Sequence, residues 1–177
     1  MGVSIEVVRD GSRLAEIGAA AFLEFINPII AEKAMILAQK EITMAEEEEW
    51  LKKTVKALNE GKKLYVLAFS GNSIAGSCEA RKGSPQPYEH NVDFGLSVSK
   101  RFRGKGLGRR LLLMAMEEGK KAFSPHKMVI SYVEGNEPAR RLYESVGFRE
   151  VCRLKKHYYH YGEFRDSVTM ELMDKGH

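Results

Sequence analysis

Cysteine is scarce in this 177-residue chain: only Cys78 and Cys152 occur, far apart and in no metal-ligand spacing. A disulfide framework and a thiolate zinc site are thereby disfavoured, and two reduced thiols in a cytoplasm-like compartment are the economical expectation. An uninterrupted apolar run of membrane-spanning length is also missing. The most apolar stretch, Ala19 to Ala38, is broken by Glu24, Asn27, Pro28, Glu32 and Lys33, which a bilayer-spanning helix tolerates poorly. The opening Met1-Gly2-Val3-Ser4-Ile5-Glu6 has neither the basic nor the apolar block of a signal peptide, and Glu6 stands where a myristoylation signal wants Ser or Thr. A soluble, cytoplasmic chain without a membrane partner is expected. Repeats, low-complexity tracts and linkers are lacking too, so residues 1–177 are expected to form a single domain.

The chain has 44% hydrophobic residues, enough to bury a core without metals or disulfides. Its net charge of +4 suits an anionic ligand, nucleic acid or an acidic membrane equally well. The placement of charge is more selective. Lys100, Arg101, Arg103, Lys105, Arg109 and Arg110 crowd one short segment with no acid among them, while Glu46 to Glu49 form an acidic block elsewhere. For that block, dipole-favoured charge on a solvated first helical turn is preferred over an amine-binding patch.

Hydrophobic periodicity supplies the elements. Val3 to Val8 alternates as a strand, and Ser12 to Ala21 has helix-forming composition that Pro28 is expected to interrupt. Thr43 with Glu46 forms a capping-box start for a helix carrying Trp50, Leu51, Val55 and Leu58 and ending at Gly61. Leu64 to Phe69 and Ile74 to Ala80 read as strands joined by a Gly71-Asn72 turn, and Lys82 to His90 reads as a loop. Val92 to Val98 alternates as a strand, followed by a helix through Lys120 with Leu107, Leu111, Met114 and Ala115 on its buried stripe. Met128 to Val133 is a strand. Pro138 then opens a helix that Gly147 closes, with Ala139, Leu142, Tyr143 and Val146 on one face. Val151 to Tyr159 and Val168 to Met173 complete a hairpin around Tyr161-Gly162. This order is a mixed α/β layer rather than the strict alternation of a doubly wound fold.

Chemistry concentrates in Arg103-Gly104-Lys105-Gly106-Leu107-Gly108-Arg109, between the strand ending at Val98 and the following helix. A helix start offers unsatisfied N–H groups and a partial positive charge of roughly +0.5 to an anion. Glycines permit close backbone approach, and the basic side chains add Coulomb attraction, so a di- or polyphosphate ligand is implied. The spacing is G-x-G-x-G rather than the dinucleotide G-x-G-x-x-G, and the Gly-Lys-Ser/Thr ending of a P-loop is absent.

Arg103-x-x-Gly106-x-Gly108 after Leu96-Ser97-Val98 resembles motif A of the GNAT superfamily of CoA-dependent N-acetyltransferases. Asn136-Glu137-Pro138-Ala139-Arg140-Arg141-Leu142-Tyr143-Glu144-Ser145-Val146-Gly147-Phe148 is similar to its motif B, in the expected order and separation. The resemblance implies a curved central sheet of about six to seven strands flanked by helices. It also implies acetyl-CoA as cosubstrate, bound in a V-shaped opening between the strands at Leu96–Val98 and Met128–Val133. By the family pattern, backbone groups of Leu96 and Val98, with Ser97 between them, meet the pantetheine arm, and Gly104 to Arg109 with Arg103 cradle the pyrophosphate. Asn136 would hold the cosubstrate's arm, and Tyr143 would protonate the departing thiolate after direct attack by a primary amine. On periodicity alone Tyr143 reads as core packing.

Enzymes resembling the ribosomal-protein alanine acetyltransferases carry a glutamate where this chain has Ser131. The general base stays open among His90, Asp93, Glu79, Glu134 and solvent, with a contribution of about 10²- to 10⁴-fold. His157, Tyr158, Tyr159 and His160 could line an acceptor pocket or simply cover the core. No acidic partner lies near His157 and His160 in sequence, so no metal is expected. The acceptor is a small amine, an amino acid or a protein N-terminus. A polyamine would want clustered carboxylates, for which Glu46 to Glu49 are the one visible source. A homodimer is left open. The alternative is a non-catalytic module binding CoA or RNA phosphates through Lys100 to Arg110, disfavoured because an electrostatic patch needs no glycines placed at a helix start.

Overall fold

The computed structural model describes residues 2–173 and contains one seven-stranded mixed sheet with helices on both faces. In chain order the elements are β1 (Ser4–Val8), α1 (Gly11–Ala31), α2 (Met44–Asn59), β2 (Lys63–Ser70), β3 (Ser73–Lys82), β4 (Asn91–Val98), α3 (Leu107–Phe123), β5 (Lys127–Val133), α4 (Glu137–Ser145), β6 (Arg149–His160) and β7 (Glu163–Met173). Single turns of 3₁₀ helix at Gln86–Tyr88 and Lys100–Phe102 punctuate the loops. The sheet order is β1-β2-β3-β4-β5-β7-β6, antiparallel except for the β4–β5 pair.

The expected elements are present, and the main departure is the first helix. Pro28 does not end it: α1 runs to Ala31, and its one irregularity is at Gly18 (φ 78°, ψ 159°). Pro28 forfeits one helical donor. The segment nevertheless stays helical, because Phe22, Phe25, Ile29 and Ile30 beyond the Gly18 bend are all buried. Although α1 is long and apolar enough to cross a membrane by length and composition, Phe22, Phe25 and Ile29 pack with Leu58, Tyr65 and Leu67 beneath α2. The capping box of α2 forms as read. The Glu46 N–H donates to Thr43 Oγ1 at 3.3 Å, and the Thr43 N–H donates to Glu46 Oε2 at 2.9 Å.

The sheet separates two apolar layers. On the α3/α4 face, alternate residues Leu64, Val66, Cys78, Ala80, Val92 and Phe94 pack against Leu111, Leu112 and Ala115. Each large aliphatic side chain sealed there contributes about 1.5–3 kcal/mol. On the α1/α2 face the same strands turn Tyr65 and Leu67 into a smaller aromatic layer. Because side chains alternate across a strand, Ser77, Glu79, Arg81, Asp93 and Ser97 are also directed to this side.

One gap in the sheet positions everything that follows. β4 and β5 pair in parallel only from Asn91↔Lys127 to Phe94↔Ile130. Beyond Phe94 each keeps its outer neighbour, β4 with β3 to Gly76↔Val98 and β5 with β7 to Val133↔Ser167. The two strands therefore splay, leaving Gly95–Val98 and Ser131–Val133 as opposite walls of a wedge.

Candidate active site

The wedge opens into a cavity of about 830 Å³ that reaches both faces of the sheet. That volume lies within the range of small-molecule sites. On the α3/α4 side it is lined by Leu96, Val98, Arg103, Gly104, Gly106, Leu107, Gly108, Arg109, Asn136 and Tyr143, and Ser97 lines it from the other face of β4. On the α1/α2 side it is lined by Phe22, Glu47, Trp50, Tyr65, Glu79 and Asp93, among others. Lys105 alone of the expected site residues stands apart from the lining: its Nζ donates to the Arg101 carbonyl at 2.8 Å.

The turn entering α3 is built by two left-handed residues, Gly104 (φ 70°) and Gly106 (φ 78°), the latter being the helix N-cap. Space does not require glycine there, since a Cβ at either position would meet nothing within 4 Å. The dihedrals do, because a side chain in the left-handed region costs roughly 1–2 kcal/mol. The first helical bond runs from the Arg110 N–H to the Gly106 carbonyl. Among the described residues, no backbone N–H from Gly104 to Arg109 donates to a protein acceptor. A run of free donors with basic neighbours therefore faces the cavity. Arg103 is fixed at the rim: its Nε donates to the Val98 carbonyl at 2.8 Å, and its guanidinium pairs with Glu32 at the end of α1.

Motif-derived residues on the opposite wall have mixed states. Asn136 lines the cavity, yet both ends of its amide are engaged. Oδ1 accepts from the Ala139 N–H at 3.2 Å as the N-cap of α4, and Nδ2 donates to the Met35 carbonyl at 3.3 Å. Tyr143 is 5% exposed and packs edge-on to Tyr132 with ring centroids 6.1 Å apart. Its hydroxyl donates to no protein group among the described residues and borders the cavity. Burial pushes its pKa well above the usual phenol value, and nearby Cys78 and Tyr132 add to the shift, so the hydroxyl stays protonated.

The four candidate bases divide cleanly. His90 and Glu134 lie away from the cavity, with His90 beside the His126 ring and Glu134 paired with Arg153. Glu79 and Asp93 line it. Burial pushes the Glu79 carboxyl up, but the charges of Lys63 (3.0 Å) and Arg81 (3.4 Å) and a 2.6 Å bond donated by the Tyr65 hydroxyl outweigh burial and hold it below its ordinary value. For Asp93, burial dominates over Arg81, and the carboxyl is raised.

Glu47 was missed as an individual residue. The acidic block is not uniformly solvated: Glu48 and Glu49 are exposed and Glu46 closes the capping box, whereas Glu47 is 5% exposed and lines the cavity. Helical periodicity relative to Trp50 could have revealed it, since residues three apart share a helix face. From the aromatic run, Tyr158 lines the cavity and accepts from Ser167 Oγ at 3.1 Å, while the buried His160 meets the Ile36 carbonyl at 3.0 Å. His157 stacks edge-on to Tyr158. Among the described residues, no group of three or more His, Cys, Asp or Glu is arranged to hold a metal ion.

Comparison with known proteins converges on one family. A family model described as the acetyltransferase (GNAT) family matches residues 30–148. The chain is 35% identical over 97 residues to the N-alpha-acetyltransferase RimI of Mycobacterium tuberculosis, covering 54% of this chain and 57% of that protein. It is 27% identical over 79 residues to the spermidine N(1)-acetyltransferase of Escherichia coli, covering 45% of this chain and 42% of that one. The chain thus spans about half the length of these relatives. Among solved structures, the putative acetyltransferase yncA of Salmonella typhimurium, determined with acetyl-CoA, superposes over 100% of this chain and 96% of its own. Its TM-score is 0.81 at 21% identity, which shows a common fold.

Proposed function

The chain belongs to the acetyltransferase (GNAT) family, and from that premise we propose that it transfers the acetyl group of acetyl-CoA to a primary amine. The observation that carries this reading is the run of free N–H groups from Gly104 to Arg109 at the mouth of the β4–β5 wedge. The site fits the cosubstrate on this chain's own features. A pyrophosphate suits the α3 N-terminus, whose partial positive charge is backed by Arg103 and Arg109. An extended pantetheine arm suits the β4 edge from Gly95 to Val98, which has lost its β5 partner.

When bound, acetyl-CoA supplies a thioester with an electrophilic carbonyl carbon and a thiolate leaving group. The acceptor nitrogen forms the new C–N bond as the C–S bond breaks. Tyr143, kept protonated by burial, donates its hydroxyl proton to the departing sulfur and regains one from solvent through the cavity it borders. Asp93, which lines the cavity with a raised carboxyl, takes the surplus proton from nitrogen, directly or through water, and passes it to solvent. Glu79 is the weaker base because Lys63 and Arg81 hold it ionised. Asn136 shapes the wall by capping α4 and tying it to Met35.

A thiol-release assay with acetyl-CoA against polyamines, simple amines, amino acids and N-terminal peptides tests the reading. Amine-dependent release of CoA with a matching acetylated product is expected. Failure to release thiol with every amine, under conditions where acetyl-CoA is bound, would overturn it.

A further inference from the structure

The α1/α2 end of the cavity is lined by the rings of Phe22, Trp50 and Tyr65 and by the charged groups of Glu47, Glu79, Arg81 and Asp93. Phe22 meets Trp50 edge-on with ring centroids 5.1 Å apart, and Trp50 meets Tyr65 at 6.3 Å. Glu47 stands in the same pocket. It is 5% exposed, and among the described residues no cation or hydrogen-bond donor meets its carboxylate. With no protein cation beside it, this carboxylate of a largely buried residue at the cavity wall gains its counter-charge when a cationic ligand arrives. The Lys63 ammonium already lies 5.5 Å from the Tyr65 ring centroid, and Trp50 offers a further ring whose negative face favours the same class of ligand.

The two cations nearest the pocket, Lys63 and Arg81, are both paired with one carboxylate. Glu79 is neutralised by Lys63 and Arg81, which leaves Glu47 and Asp93 without a dedicated ion pair. The sheet register sets a length. Tyr65 lies opposite Glu79 on β3, and Glu79 lies opposite Gly95 on β4 at the start of the wedge. Two strand spacings, about 10 Å, therefore separate the Tyr65 end of the pocket from the wedge. Glu47 belongs to the Tyr65 end, since its charge contributes to the raised pKa of the Tyr65 phenol, behind burial and Glu79.

We propose that Glu47, with Trp50 and Tyr65, forms a cation subsite for the second ammonium of a diamine or longer polyamine whose first amine is acetylated at the β4–β5 wedge. This rests on the acetyl-transfer reading, in which Asp93 faces the reacting nitrogen and the distal ammonium is held for recognition only. A carboxylate-bearing amino acid would set its negative charge against Glu47. A monoamine would leave Glu47 unpaired.

The test compares α,ω-diamines of increasing length with monoamines of equal length, using wild type and Glu47→Gln. Turnover reads kcat/KM, and calorimetric titration of each amine in the absence of acetyl-CoA reads the subsite separately. We expect wild type to prefer the best diamine at least about tenfold over its monoamine, the worth of roughly 1.4 kcal/mol. That preference should collapse in Glu47→Gln through KM, with kcat nearly kept and diamine binding lost in calorimetry. Equal handling of diamine and monoamine, or a preference that survives Glu47→Gln, would overturn the subsite while leaving acetyl transfer standing. A diamine that binds through Glu47 but is never acetylated would likewise overturn the proposal, while release of thiol with other amines would keep acetyl transfer standing.

Discussion

The two ends of the cavity are built on opposite principles. The α3 end is made chiefly of backbone, with a continuous turn whose shape is set by Gly104 and Gly106 and whose N–H groups face outward. The α1/α2 end is made of side chains drawn from α1, α2, β2, β3 and β4. On the proposed reading, the backbone end would hold the acetyl donor through N–H groups rather than side chains. A side-chain site can be rewritten one residue at a time, so acceptor choice can diverge while the donor stays fixed.

The largest effect is expected where the two ends meet. Tyr143→Phe should lower kcat roughly 100-fold, within the range of general acid catalysis, while acetyl-CoA affinity stays near wild type. Rapid-quench turnover together with equilibrium titration checks both halves. An unchanged chemical step would remove Tyr143 from the acid role.

At the α3 end alone, Gly106→Val forces a branched side chain into the left-handed region and should weaken acetyl-CoA binding about tenfold. Calorimetry on a variant whose unliganded Tm is first shown to be intact would expose a smaller loss. At the acceptor end, Tyr65→Phe keeps the ring but removes the 2.6 Å bond to Glu79. A rise in acceptor KM of about threefold, the scale of one hydrogen bond, is expected with acetyl-CoA affinity unmoved. Steady-state kinetics that shifted both constants equally would blur the proposed division.

The smallest effect concerns stability. Burial raises the Glu47 carboxyl above its ordinary range. Between those two values the folded chain binds more protons than the unfolded one, so stability is greatest below the ordinary carboxylate pKa and falls as pH rises through the raised one. Glu47→Gln removes that loss and should raise Tm near pH 7 but hardly at all near pH 4. A lowered Tm at pH 7 would mark Glu47 as a structural residue rather than one held for a ligand.

The same contrast explains what the sequence disclosed. The glycine turn before α3 was readable because its glycines alternate within one short segment and precede a clear helical stripe at Leu107, Leu111 and Ala115. Strand identities were readable from alternation. The length of α1 was not, since tertiary packing of Phe25, Ile29 and Ile30 outweighs the local preference of Pro28. Nor was the acceptor end, because Glu47, Tyr65, Glu79 and Asp93 become neighbours only through strand register and helix docking. The choice of Glu79 and Asp93 over His90 and Glu134 likewise needed the location of the wedge.

The most direct test is thermal unfolding with acetyl-CoA and, separately, with S-acetylpantetheine, which keeps the thioester but lacks the pyrophosphate. Acetyl-CoA at about one hundred times its Kd should add about 2.7 kcal/mol and raise Tm, while acetylpantetheine at the same concentration should add far less. Equal shifts from the two ligands, or no shift from acetyl-CoA, would contradict a diphosphate held by the amides of Gly104 to Arg109.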